Sequence, residues 1–106
     1  MPKFLIQLSY TAEGAKGVLK AGGSARRKAA ADVLAQFNGT IESFYFAFGA
    51  DDAVLIVDVP DYETMAAISL TVSATGTIRT RATVLLTPEQ IDESAKKQVN
   101  FRAPGE

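Results

Sequence analysis

No cysteine and no histidine occur anywhere in the chain. Their absence excludes disulfides, thiol nucleophiles, Cys/His zinc sites, imidazole bases and every Ser-His-Asp arrangement. Any chemistry performed here falls to Asp, Glu, Lys, Arg, Tyr or a bound cofactor. Long apolar runs are missing too, since no stretch approaches the ~20 residues of a transmembrane helix. The N-terminal MPKFLIQLSY has neither the long apolar core nor the small-residue cleavage site of a signal peptide, so the expected location is cytoplasmic. Charge of one sign is not in excess either. A net charge of -1 argues against a generic nucleic-acid binder or a polybasic membrane binder.

What is present suffices for one small domain. The chain has 106 residues, 47% apolar and 22% charged, which is a globular composition rather than a disordered one. KFLIQLSY (3–10) alternates, Phe4, Ile6, Leu8 and Tyr10 against Leu5, Gln7 and Ser9, and reads as a strand. Thr11 caps a helix beginning AEGAKGVLK. Gly22-Gly23 interrupts it, and Ser24 is positioned to cap ARRKAAADVLAQF, whose Ala29, Val33, Leu34 and Phe37 share one side. Whether this is one bent helix or two stays open, with the glycine pair favouring a break. Asn38-Gly39 ends it; with Thr40 these residues also fit a glycosylation sequon, which reads simply as a turn. Strands follow over 41–48 and 53–59, joined by a tight turn at 49–52. Asp61 caps YETMAAISLTVSA and Gly76 ends it. Residues 77–86 form a fourth strand, and TPEQIDESAKK carries Thr87, Pro88 and Gln90 as the signature of a short helix with a capping box. The tail over about 98–106 is irregular.

The order βαββαβ is the ferredoxin-like α+β plan, an antiparallel sheet with both crossover helices on one face, here with a short C-terminal helix added. That plan leaves the other sheet face bare, yet FYFAFGADDAVLIVDVPD (44–61) is apolar on both sides. Phe44, Phe46 and Phe48 oppose Tyr45 and Ala47, and Val54 and Ile56 oppose Leu55 and Val57. An apolar patch of that kind marks an interface. A second copy of the chain, sheet on sheet through Tyr45, Ala47, Leu55 and Val57, is the expected cover; the alternative is that the C-terminal helix folds back.

MPKFLIQLSYTAEGAKGVLKAGGSARR, FYFAFGADDAVLIVDVPD and ISLTVSATGTIRTRATVLLTPEQID together resemble the GYD-domain family over roughly residues 2–92. The resemblance implies a small bacterial protein of the dimeric α+β-barrel class. The family takes its name from a Gly-Tyr-Asp triplet at the hairpin turn. Here Gly49-Ala50-Asp51 stands in its place, so a role for that aromatic does not carry over. The family supplies no established activity.

Candidate sites are few. Arg79 and Arg81, two apart on one strand, share a face that Gln7, Ser9 and Thr83 also reach. Two guanidiniums there suggest a ligand site for a carboxylate or other anion, or else pairing with acids across an interface. GGSARRK (22–28) places Ser24, Arg26 and Arg27 at a helix start, a weaker anion site than a basic solvated face; the G-x-x-x-x-G-K-[ST] loop is absent. Asp51 and Asp52 read as a solvated turn and not as a metal site or a base. Tyr10 and Tyr45 read as interface aromatics. Five bases and no acid fall within 16–28, six acids and no base within 42–63; these are complementary patches for assembly or two solvated surfaces. No catalytic residue, metal or cofactor is expected. The reading is a homo-oligomeric, non-catalytic protein, dimer or higher, that holds a small anionic or aromatic molecule between the sheet and a partner subunit. The alternative is a cofactor-independent oxygenase or isomerase of the dimeric α+β-barrel type, which rests on fold analogy alone.

Overall fold

A computed structural model describes all 106 residues. Its elements run β1 (Lys3–Tyr10), α1 (Ala12–Ala21), α2 (Gly23–Ala35), β2 (Thr40–Phe46), β3 (Ala53–Asp58), α3 (Tyr62–Ala74), β4 (Ile78–Leu85) and α4 (Pro88–Ala95). The four strands form one antiparallel sheet in the order β2-β3-β1-β4, as the ferredoxin-like plan requires. No helix is long and apolar enough to cross a membrane.

The caps behave as the sequence predicts at three helices. Thr11, Asp61 and Thr87 each accept a hydrogen bond from a backbone N–H of the first turn, and Gln90 completes the box at α4. The fourth differs. Gly22, at φ +88°, breaks the α1–α2 pair into two helices and is itself the N-cap of α2; Ser24 lies one residue inside the helix and caps nothing. A side chain is disfavoured at that φ, so the chain turns where glycine permits it.

Strand parity builds the core. On β1 and β3 alternate residues are buried, Phe4 and Ile6 against Leu55 and Val57. Leu34 of α2 and Met65 of α3 close over them, and Val59 completes the cluster. Close approach is needed at one point: a methyl group on Gly14 of α1 would sit 2.0 Å from the Thr77 carbonyl oxygen, just before β4.

Two details depart from expectation, and a third bears on the alternative cover for the open face. The hairpin strands are shorter, because β2 stops at Phe46 and Ala47–Asp52 is a six-residue loop closed by the Ala47 N–H donating to the Asp52 carbonyl at 2.9 Å. Phe48 therefore leaves the sheet and is fully exposed instead of joining Phe44 and Phe46. Helix α4 forms but does not fold back over the sheet: every residue from Pro88 to Arg102 is exposed. The C-terminal segment is an arm, and it stretches the molecule to 57 Å with a radius of gyration of 17.0 Å. A compact chain of this length has about 13 Å.

Candidate functional site

The face turned away from the helices is set by the strand register. Residues directly opposite one another in a ladder lie on the same face. Gln7 pairs with Val54 and Arg81, Leu5 with Ile56 and Thr83, and Ser9 with Arg79, while Tyr45 stands opposite Val54. This open face has an apolar centre of Leu5, Val54 and Ile56, extended by Tyr45, which is 71% exposed.

Polar groups close both ends of that centre. At one end Lys3 donates to Glu42 and, at 3.1 Å, to Asp58, its cross-strand partner. The bond to Glu42 and then that to Asp58 raise the Lys3 ammonium above its ordinary value of 10.5. At the other end the hairpin loop curls over the sheet and delivers Asp51. Its carboxylate accepts from Arg81 Nη2 at 2.6 Å, Gln7 Nε2 at 3.1 Å and Ser9 Oγ at 3.4 Å. The Asp51 side chain is only 12% exposed. Asp52 beside it is engaged too, accepting from the Tyr10 N–H at 2.8 Å while its own N–H donates to the Leu8 carbonyl.

The structure thus brings Gln7, Ser9 and Arg81 together, around a residue the sequence reading set aside. Asp51 and Asp52 are not a solvated turn, because both carboxylates are tied to β1. Arg79 lies on the same face and is exposed, but takes part in no ion pair. The two arginines are therefore unequal: Asp51 already occupies the place an anion would take at Arg81, and Arg79 is the free cation.

The other expected groups separate. Leu55 and Val57 are 4% and 2% exposed and belong to the helix-side core, so they are not interface residues in β3; Val54 and Ile56 hold the open face instead. Tyr45 is on the open face as expected, and Ala47 lies beyond the end of β2. Ser24, Arg26 and Arg27 do not converge. Ser24, Arg27 and Lys28, spaced i, i+3, i+4, line a shallow groove beside β2, whereas Arg26 turns inward with Ala29, Ala30 and Val33. That inward placement is written in the helical period, which the run of three basic residues conceals. No group of three or more acidic side chains comes together to hold a metal ion.

No curated protein and no solved structure matches the chain. The profile of the GYD domain matches residues 4–95, from the second residue of β1 to the end of α4. Asp51, the anchor of the polar cluster, is the third residue of this chain's Gly49-Ala50-Asp51 turn. With nearly its whole length accounted for, the chain belongs to the GYD-domain family.

Proposed function

We propose that the chain acts as a cytoplasmic homo-oligomer without catalytic activity, its open sheet face packed on another copy and a small anionic or aromatic molecule held at the seam. The observation that carries this reading is the open face itself, an apolar centre closed by charged clusters, which is the anatomy of a protein interface. Exposed area supports it. A compact chain of 11.3 kDa exposes about 5,700 Å², and this one exposes 7571 Å². The excess, roughly 1,900 Å² from that comparison, belongs to the outstretched arm together with the open face, and exceeds the about 800 Å² per partner of a standard interface. The arm adds a second contact, because Leu86, Ile91, Val99 and Phe101 are exposed along it and reach outward from the body.

The ligand reading rests on Arg79, the free guanidinium beside Ser9. The rival reading, a cofactor-independent oxygenase or isomerase, needs a base inside the barrel. The carboxylate nearest Gln7 is Asp51, and its oxygens are already engaged by three donors. Native mass spectrometry of the intact chain tests the proposal: a dimer or larger assembly is expected, with any retained small molecule lost on Arg79→Ala. A monomer at all concentrations would overturn it.

A further inference from the structure

On the opposite side of the sheet, between α2 and α3, a cleft partly open to solvent reaches down to the core. A cavity of ≈ 240 Å³ lies there. Protein interiors hold few voids larger than a water, and an apolar cavity of roughly 150 Å³ accepts benzene. The space follows from side-chain choice. α2 presents Ala29 and Ala30 to the sheet where longer side chains would reach its floor, and α3 presents Ser69 between Ile68 and Val72.

The lining is apolar except for Ser69, Thr80 and Arg26. Arg26 is half-buried and takes part in none of the chain's ion pairs. It also lines the neighbouring groove under α1, which places it where the cavity opens. Glu13 borders that groove, but its ion pair is with Lys16, at 3.7 Å. A guanidinium partly withdrawn from water beside an apolar wall calls for an anionic partner, and its planar fork matches a carboxylate.

We infer that this cavity binds a small apolar carboxylate, its hydrocarbon or aromatic body between α2, α3 and the sheet and its acid on Arg26. The site is separate from the open face and does not depend on how copies of the chain assemble. The cavity sets the size of the body, about that of a one- or two-ring aromatic by comparison with the benzene-sized void. Arg26 sets the charge, and the two hydroxyls add orientation.

The test is titration of the full-length, ¹⁵N-labelled protein with 2-naphthoate and with its neutral counterpart 2-naphthamide, followed by amide NMR. Naphthoate should saturate and move the amides of residues 26–33 and 65–72, with naphthamide weaker on the order of tenfold, the worth of a charge-assisted contact. Arg26→Met, which keeps the apolar stem, should erase that preference. Ala30→Leu should block both ligands while preserving or raising the melting temperature, as cavity filling does. Equal affinity for acid and amide, unchanged binding by Arg26→Met, shifts confined to Arg79 and Tyr45 on the open face, or no saturable shifts at all would each overturn the inference. The acid-to-amide comparison is made on the unaltered protein and stands whatever the variants do.

Discussion

Arg81 Nη2 lies 2.6 Å from Asp51 Oδ2, across 30 residues of chain, and this contact fixes the hairpin loop to the outer edge of the sheet. The partners are unequally placed, with Arg81 65% and Asp51 12% exposed. Removing Asp51 therefore leaves Gln7 and Ser9 without their acceptor as well, while removing Arg81 leaves a carboxylate that still has two donors. Asp51→Ala should destabilise by about 2 kcal/mol and Arg81→Ala by about 0.5 kcal/mol, in denaturant unfolding monitored by circular dichroism. An equal loss for both would show that the ion pair alone holds the loop.

Two glycines of α1 give opposite expectations. Gly14→Ala forces a methyl group toward the Thr77 carbonyl oxygen, which belongs to backbone and cannot swing aside. A loss of about 2 kcal/mol or more is expected, from separation of α1 and the start of β4. Gly17 has nothing within 4 Å of the corresponding position. Gly17→Ala should stabilise by about 0.5–1 kcal/mol through helix propensity. Thermal melts of the two variants side by side check both signs.

Asp61 carries a pH dependence. Hydrogen bonding from Thr64, its side chain first and then its backbone N–H at 2.8 Å, holds the Asp61 carboxyl below the ordinary 3.8. A pKa lower in the folded chain than in the unfolded one means stabilisation that is complete above 3.8 and is lost as the pH falls through the folded value. The melting-temperature gap between wild type and Asp61→Ala should be constant at neutral pH and close below that point. Asp61→Asn, which also caps, should show a smaller gap at neutral pH.

The proposed association would have two separable contributions. Ile56→Glu places a charge in the centre of the open face and should shift the assembly toward monomer in analytical ultracentrifugation, with the far-ultraviolet spectrum unchanged. Truncation after Thr87 should keep the sheet intact, because no residue from Pro88 to Arg102 is buried. It should weaken association rather than folding.

Much of this was legible in the sequence, and what escaped did so for physical reasons. Thr11, Asp61 and Thr87 announced their helices because a cap is a local hydrogen bond, made within three residues. Strand order followed from element order. The assignment of Leu55 and Val57 to the outer face failed because β3 is apolar on both sides: parity says which residues share a face, not which face the helices cover. Asp51 was missed because its partners are 30 to 44 residues away, and nothing within the turn reveals them. Arg26 stands out as an anion-site residue beside Ser24 and Arg27, but the run of three bases conceals its inward placement, which its spacing from Ala29, Ala30 and Val33 marks.

The arm bears on how folding and the proposed self-association would be linked. Helix α4 has eight residues, and its side chains are exposed from end to end. Isolated helices so short are marginal in water, even with a complete capping box. In the proposed assembly, a neighbouring copy that received Ile91 and the residues beyond it would make ordering of the arm part of docking, and its free energy would enter the association constant. In that proposed assembly the helix content of the protein would depend on its concentration. Amide hydrogen exchange in residues 88–95 should slow on assembly, while that of β1 and β3 tracks global unfolding.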